Sequence, residues 1–382
     1  MTPMTRKALL ASVACCALVV ISLSSAADPG SIAQAKKNVA IYYTNTNVPP
    51  PAKGPKAVKG KEVYFVDAGF ATPAGAAGAK AVKEAGKLLG WNVTAFDGKF
   101  TPSVYQEGIR QAIASKADGI VLFGVDCPVV KTALEQAKKA KIAVVGASSQ
   151  DCSQASKGSP SLFTASVQYP PLPGSRTPLN GFTQWYGNGV AQADWLIAQT
   201  NGKAKVLLFR VPDFAVTLAM ANGFKARLSR CAGCSIVDTV DIGVKDFGPA
   251  LQGIAEQALL KNPDATAVNG GYADLMTLGI ASAIVASGRN DKLLVVAGTG
   301  NTDELNLVRQ NKGEDAGFVQ VIPWDMYTAF DQLNRIFAGV KTTVSGYAMT
   351  MYDKNHNVPS AGPYVPKANY KATFAKIWAG RR

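Results

Sequence analysis

The sequence predicts an α/β protein of two similar lobes, each built on a parallel sheet covered by helices. Short apolar runs of strand length alternate with helical stretches over residues 61–147. The same alternation begins again at residue 182, after a proline- and glycine-rich crossing at 169–181. Alternation of this kind is typical of a parallel sheet with helices on both faces. We therefore expect two Rossmann-like lobes joined by a hinge of several strands.

The first series has strands that end in polar residues and helices with Lys, Glu or Gln between their apolar positions. The predicted order is strand 62–70, helix 74–90, strand 91–98, helix 102–116, strand 118–126, helix 128–140 and strand 141–149. Open sheets of this type bind ligands beyond the carboxyl ends of their strands. Function is therefore expected at the strand-end segments 70–73, 125–128 and 148–152.

The second series repeats the pattern over a longer stretch. Its predicted elements are helix 182–200, strand 205–211, helix 215–230, strand 235–242, helix 247–261, strand 265–271, helix 273–287, strand 292–300, helix 302–311, strand 316–322 and helix 323–338. Residues 344–353 are predicted as a strand or crossing and 370–379 as a terminal amphipathic helix.

These elements predict the following domain boundaries. The segments are a signal peptide (1–27), an extended lead-in (28–60) with a short strand or strap at 41–44, an N-terminal lobe (61–168 plus 322–344) and a C-terminal lobe (169–321 plus 345–382). The lead-in is expected to be extended because it is rich in proline, lysine and alanine.

The first 27 residues have the features of a secretory signal. Arg6 and Lys7 precede an apolar run over 8–23, and small residues follow it. That run of about 16 residues is shorter than the ~20 needed to span a bilayer. We expect a periplasmic protein whose signal is cleaved near Ala26 or Ala27.

The chain is basic, with a formal charge of +14. Removal of Arg6 and Lys7 with the signal would lower this to +12, because no acid leaves with them. The lysines are scattered over helix faces, and no dense basic run with interleaved aromatics occurs. A solvated basic surface is therefore expected, with no nucleic-acid partner.

Four cysteines follow the signal, and an exported protein is expected to oxidise them. Cys127 and Cys152 follow neighbouring strand ends, so a bridge between them is predicted at the rim of the cleft. Cys231 and Cys234 follow a helix, whereas redox CxxC pairs lie at a helix N-terminus. A small structural disulfide is predicted there. No metal site is expected, since His356 is the one histidine.

Several stretches, in their order and spacing, resemble a known family. They are FVDAGFATP (65–73), KLLGW (87–91), QAIASKADGIVLFGVD (111–126), AKKAKIAVVGASSQD (137–151), LLKNPDATAVNGGYADLMTLGIASAIVASGR (259–289) and VVAGTGNTDELNLV (295–308). The family is the ribose-binding-like (type I) periplasmic proteins, the substrate-binding subunits of ABC importers, and the resemblance spans residues 61–382. It implies a hinged pair of lobes that closes on a small molecule, without a cofactor.

The resemblance also implies a set of ligand contacts. The candidate positions are Phe70, Thr72, Pro73, Asp126, Ser148, Ser149, Phe214, Tyr272, Asp274, Thr299, Trp324 and Asp325, and the aromatic residue Trp185 is added to them. Some of these residues could have a structural role instead. Phe70 and Phe214 could belong to the core or to the rim of the cleft, and Trp185 could pack a helix on a sheet. Asp126 and Asp325 could cap helices.

The departures from the family pattern bear on the ligand. Ser148, Ser149 and Thr299 stand where sugar-binding members carry charged residues, while aromatic residues remain abundant. Such a pocket favours a neutral polar or aromatic-bodied molecule, with a sugar or polyol as the alternative.

The resemblance implies a monomer that works transiently with an ABC permease in the membrane. One alternative is a receptor that presents its ligand to a membrane sensor. Another is an exported enzyme with Asp126 and Asp325 as a carboxylate pair. No catalytic motif supports the enzyme, because the sequence has no GxSxG and no phosphate-binding glycine loop.

Overall fold

The computed structural model describes residues 29–44 and 49–381. The predicted signal peptide lies outside the described residues. Within them, the alternation of strands and helices produces two sheets and a small hairpin. The strands are β1 (Glu62–Asp67), β2 (Asn92–Asp97), β3 (Gly119–Phe123), β4 (Ala143–Ala147), β5 (Ala165–Ser166), β6 (Gln168–Tyr169), β7 (Leu179–Asn180), β8 (Lys205–Arg210), β9 (Ser235–Asp241), β10 (Ala267–Asn269), β11 (Leu294–Thr299), β12 (Ala316–Val319) and β13 (Met351–Asp353).

Apart from α1 and α5, which the sequence pattern does not predict, the helices follow the predicted order. They are α1 (Pro29–Thr44), α2 (Pro73–Leu89), α3 (Pro102–Ala114), α4 (Cys127–Lys139), α5 (Cys152–Ala155), α6 (Thr183–Gln199), α7 (Ala215–Leu228), α8 (Pro249–Lys261), α9 (Ala273–Leu275), α10 (Ala281–Ala286), α11 (Thr302–Gln310), α12 (Ile322–Phe337) and α13 (Tyr370–Trp378). A π turn over Met276–Ile280 interrupts the single helix predicted at 273–287.

The two sheets confirm the predicted α/β class. The first has the order β2-β1-β3-β4-β5 and is parallel throughout. The second has the order β13-β12-β11-β10-β8-β9, with β13 as an antiparallel edge. Buried apolar residues cover both faces of each sheet, which explains why the central strands have nearly continuous apolar sequences.

The hinge consists of chain crossings that lie side by side. The β6–β7 hairpin belongs to the first crossing, and the carbonyl of Gln168 accepts hydrogen bonds from the amides of Ser345 (3.2 Å) and Gly346 (2.9 Å) in a later crossing. A further crossing runs from the end of β12 into α12.

The prediction of an extended lead-in at 28–60 is wrong for its first part, because residues 29–44 form α1. This helix packs on α6. Arg227 donates to the hydroxyl and carbonyl oxygens of Ser31, both at 3.0 Å, and Asn38 donates to Asp194 at 2.8 Å. These contacts with the C-terminal lobe compensate for the weak amphipathicity of the helix.

The prediction that residues 345–382 belong to the C-terminal lobe is wrong for the last helix. Helix α13 packs on α12 and α2, and Phe374 and Trp378 are buried in the core of the N-terminal lobe. The sequence predicts the apolar face of α13, but it does not indicate which lobe this face packs against.

Both predicted disulfides are present. Cys127 at the start of α4 is bonded to Cys152 at the start of α5, and Cys231 is bonded to Cys234 in the turn before β9. The first bridge holds together the loops that follow β3 and β4. In residues 29–44 and 49–381, no helix has the length and apolarity that a membrane span needs.

Candidate ligand-binding site

A cavity of about 690 Å³ lies between the two lobes, at the carboxyl ends of their strands. Its walls come from the end of β1 and the start of α2 on one side, and from the ends of β10 and β11 on the other. Residues 320–323 of the hinge and residues 363–371 near the C-terminus complete it. The cavity is therefore at the place where parallel sheets present ligand sites.

Helix α2 begins at the cavity wall. Thr72 is the N-cap residue, and its hydroxyl accepts a hydrogen bond of 3.2 Å from the amide of Gly75. Pro73 occupies the first turn, where its missing N–H costs nothing. A Cβ at Gly75 would overlap the carbonyl oxygen of Gly69, so a glycine is needed for this helix to approach the loop after β1.

Asp67 ends β1 and is 2% exposed. Its Oδ1 accepts a hydrogen bond of 2.7 Å from the amide of Gly69, and its Oδ2 has no partner among the described residues. Burial, with a smaller contribution from the neighbouring Asp97, raises the pKa of Asp67 to about 7. The cavity thus contains a carboxyl oxygen that is free to bind a ligand group.

The facing wall contains a second acid and an indole donor. Asp274 is half-buried at the start of α9, and burial raises its pKa to about 6. Trp185 is 7% exposed, and its Nε1 has no partner among the described residues. Its ring packs edge-on against Tyr272 at 6.1 Å. This wall can accept and donate hydrogen bonds beside an aromatic surface.

The strand ends of the C-terminal lobe are held by buried polar groups. Glu304 accepts hydrogen bonds from the amides of Gly298, Thr299 and Gly300 at 2.6–3.0 Å. Gln192 donates to the carbonyls of Gly271 (2.7 Å) and Ala297 (2.8 Å). These bonds fix the loops after β10 and β11, which line the cavity.

Phe100 and Phe214 meet across the two lobes. Phe100 follows β2, and Phe214 precedes α7, with ring centroids 6.4 Å apart in an edge-on arrangement. Both rings line the cavity, and Phe247 adds another aromatic ring. Most of the remaining lining is apolar.

Asp126 lies outside the main cavity, in a smaller recess between the lobes. Its Oδ1 accepts from the amide of Gln150 (2.8 Å), and its Oδ2 accepts from the amide of Ala215 (3.0 Å). Since Gln150 and Ala215 belong to different lobes, Asp126 holds the closed arrangement together. It is the N-cap residue of α4, but its side chain does not cap that helix.

Trp324 and Asp325 belong to the hinge and do not line the cavity. Trp324 is 1% exposed, stacks on Tyr370 at 4.8 Å and donates from Nε1 to the carbonyl of Ser345. Asp325 accepts hydrogen bonds from Tyr169 (2.7 Å), Tyr347 (3.3 Å) and Gln320 (3.4 Å). Burial raises the pKa of Asp325 to about 7. The carboxylate pair of Asp126 and Asp325 considered for an enzyme is therefore not assembled.

Ser148 and Ser149 have different positions although they are adjacent. Ser148 lines the cavity with a left-handed backbone (φ 48°), and its Oγ accepts from Gln320 at 3.1 Å. Ser149 is fully buried, accepts from the amide of Val125 and donates to the carbonyl of Ala147. Phe70 stacks on Phe65 in the core of the N-terminal lobe and is also outside the cavity lining.

The segment that we call the C-terminal arm (residues 359–369) passes from one lobe to the other along the cavity. Arg309 donates to the carbonyls of Pro359 (2.8 Å) and Gly362 (2.5 Å), and the amide of Tyr364 donates to Gly300 (3.0 Å). These contacts fix the arm to the C-terminal lobe, and the helix that follows it packs on the N-terminal lobe.

Comparison with the sequence-based set is direct. The predicted residues that line the cavity are Thr72, Pro73, Ser148, Trp185, Phe214, Tyr272, Asp274 and Thr299. Sequence reasoning missed Asp67, Phe100, Phe247, Gln320 and the arm. Asp67 had a usable signal, because it is an acid at the end of an apolar strand. The arm had none, since nothing in its sequence indicates that it crosses the cleft.

Comparisons with known proteins agree with this architecture. Residues 63–341 match the model of the periplasmic binding protein domain family. A search of curated proteins found no match.

Three solved structures illustrate the likeness in fold. A sugar ABC transporter protein from Yersinia enterocolitica subsp. enterocolitica 8081 is 18% identical, with a TM-score of 0.66 over 88% of this chain and 99% of that one. A solute binding protein from Bacillus halodurans C-125 with bound myo-inositol is 14% identical, with a TM-score of 0.65 over 77% and 95%.

The arabinose-transporter binding protein from Shewanella sp. ANA-3 is 19% identical, with a TM-score of 0.63 over 83% of this chain and 95% of that one. Similarity at this level of identity establishes the fold. Together with the family model, which covers most of the chain, it shows that the chain belongs to the periplasmic binding protein family.

Proposed function

We propose that this protein is an exported solute-binding protein that captures a small polar molecule between its lobes and delivers it to an ABC-type permease. One observation carries the proposal: the inter-lobe cavity is lined by Asp67 and Trp185, whose buried Oδ2 and Nε1 atoms have no partner among the described residues. Buried polar atoms are nearly always hydrogen-bonded, so these two atoms are suited to a ligand.

The lining indicates a ligand with hydroxyl or similar polar groups on a compact body. Carboxyl and indole groups bind hydroxyls, and the rings of Phe100, Phe214 and Tyr272 pack against apolar ring faces. Solved structures of similar fold contain arabinose, allitol and myo-inositol, which supports a sugar or polyol.

Closure follows from the contacts between lobes. Ligand bound in the cleft would favour the closed form, in which Asp126 contacts Ala215 and Phe100 contacts Phe214, because these contacts need both lobes. The closed form would then present surfaces of both lobes to the membrane partner.

A thermal-shift screen tests the function directly. Sugars, polyols, aromatic acids and small amides are each mixed with the mature protein, and we expect at least one to raise the melting temperature. X-ray scattering with that compound should then give a smaller radius of gyration than without it. Identical scattering profiles in both states would contradict hinge closure. N-terminal sequencing of exported protein tests the cleavage near Ala26 or Ala27.

A further inference from the structure

The charged residues that line the cavity are unevenly placed. Among the described residues, Asp67 and Asp274 contribute acids from opposite lobes, and Lys367 and Lys371 are the bases. Lys367 is exposed, and Lys371 donates to Glu84 at 2.6 Å. Both lysines are exposed, so the more buried charged groups of the lining are the two acids, although the chain has 40 Lys and Arg against 26 Asp and Glu.

No Lys, Arg or His within residues 29–44 and 49–381 interacts with the carboxyl group of Asp67. Asp97 lies beside it on the neighbouring strand and uses its own Oδ1 for the amides of Phe70 and Lys99, both at 3.0 Å. Tyr105 is the other titratable group close enough to interact with Asp67. Burial of a carboxylate without a neighbouring cation has a large desolvation free energy. A hydrogen bond from one backbone amide offsets only part of it.

The aromatic walls suit a cation as well. Trp185, Phe214 and Tyr272 line the cavity, and the faces of such rings attract positive charge when water is excluded. The free Nε1 of Trp185 is a donor, so it needs an acceptor such as a hydroxyl oxygen. The site therefore offers negative charge, ring faces and one polar donor.

We propose that the cleft selects a small ligand that carries a basic nitrogen, with its ammonium group against Asp67 and its hydroxyl or apolar body against the aromatic walls. Asp274 on the facing wall adds to the attraction. A neutral ligand can satisfy the free oxygen of Asp67, but it cannot compensate the charge. The inference rests on the proposed function and deepens it by naming the ligand class.

Calorimetry and thermal shift with matched compounds test this inference. Each set contains an amine, its neutral hydroxyl counterpart and its N-acetyl derivative: glucosamine with glucose and N-acetylglucosamine, and tyramine with 4-(2-hydroxyethyl)phenol and N-acetyltyramine. In at least one set, we expect the amine to bind about tenfold or more tightly than both neutral members, a difference of about 1.4 kcal/mol.

Asp67→Asn separates charge from structure. The amide oxygen of Asn can still accept from the amide of Gly69, so the variant should fold. Relative to the wild type, it should lose most of the preference for the amine over the two neutral members of the same set. Glu135→Gln makes the same charge change on an exposed face of α4, and it should leave every affinity unchanged.

A pH series tests the charge of Asp67 separately from any structural role of this residue. Below pH 7, Asp67 becomes protonated, because burial raises its pKa to about 7, and Asp274 follows near 6. Affinity for tyramine, whose amine stays protonated over this range, should therefore fall from pH 8 to pH 5 more steeply than affinity for its two neutral counterparts. In Asp67→Asn, this fall should be smaller.

Two results would overturn the inference. If some compound binds but in no set the amine binds more tightly than its neutral members, the inference fails and the proposed solute-binding function stands. If no member of the sets and no compound of the broader screen binds, the inference and the proposed function fail together.

Discussion

The hydroxyl of Tyr169 donates a hydrogen bond of 2.7 Å to Oδ1 of Asp325, which connects the first hinge crossing to the start of α12. Tyr347, from a third crossing, and Gln320 reach the other oxygen. A single buried carboxyl group thus binds to every part of the hinge that brings the lobes together. Such a network is worth more than its separate bonds.

Asp325→Asn should change how stability depends on pH. Burial raises the pKa of Asp325 to about 7 in the folded protein, above its unfolded value, so the folded state holds the proton more tightly. Stability from this group is therefore fully present below about pH 4 and is lost as pH rises to 7. Urea unfolding at pH 4 and pH 7 measures the difference. Between these two pH values, the free energy of unfolding of the wild type should fall by on the order of a few kcal/mol more than that of Asp325→Asn.

The exposed acid Asp264 provides the control for this series. Asp264→Asn should leave the pH dependence of the wild type unchanged, since the side chain is 59% exposed. If the free energy of unfolding depends on pH in the same way in the wild type and in Asp325→Asn, Asp325 does not have a raised pKa in the folded protein.

The two disulfides should contribute unequally to the free energy of unfolding. The bridge between Cys127 and Cys152 closes a longer loop (sequence separation 25) than the bridge between Cys231 and Cys234 (separation 3). Loop-closure entropy predicts losses of about 3.5 and about 1.5 kcal/mol in the two double-alanine variants. Urea unfolding measures both. Free thiols at all four positions in mass mapping of unreduced peptides would show that neither bridge forms.

Asp126→Ala should speed ligand release without altering the cavity wall. The variant loses the contact with the amide of Ala215 across the lobes, so the closed form is less stable. We expect about tenfold faster dissociation, or ~1.4 kcal/mol, of the compound that stabilises the wild type most, measured by stopped flow. Asp213→Ala is the matched control, because Asp213 accepts from Val244 within one lobe. Equal rates for both variants would argue against a contact that stabilises closure.

Arg227→Ala should unfold the protein more easily, because it leaves Asp194 buried without its ion pair. The two side chains are 9% and 0% exposed, and the guanidinium also holds Ser31 of α1. Loss of one partner of a buried pair costs about 3–5 kcal/mol. The exposed pair of Lys205 and Asp264 is the control, since Lys205→Ala should cost less than about 1 kcal/mol in the same urea titration. Similar losses in both variants would mean that α1 is not anchored in this way.

The sequence is sufficient to predict the repeated strand–helix units and the edge of the sheets where the cavity lies. Apolar runs and their polar ends determine both. It does not distinguish a residue in the wall from one just behind it: Ser148 faces the cavity, whereas Ser149 faces the core. The alternation of a strand is lost in the turn that follows it, so the direction of such side chains depends on loop geometry.

Long-range packing accounts for the other differences. Asp325 has the sequence context of a helix cap, and only Tyr169, 156 residues away, reveals its role in the hinge. Helix α1 is weakly amphipathic by itself and depends on Arg227, which no local pattern connects to it. Asp67 is an acid at the end of an apolar run, but the run itself does not show that its side chain lines the cavity.

The C-terminal arm limits how far the lobes can separate. The amide of Tyr364 is bonded to Gly300 of one lobe, and Tyr370 begins α13, which packs on the other lobe. The short stretch between Tyr364 and Tyr370 can extend to about 20 Å at most, at ~3.4 Å per residue. While both ends stay bound, the arm acts as a tether of fixed reach beside the ligand. The opening of the cleft therefore has a built-in stop, set by chain length.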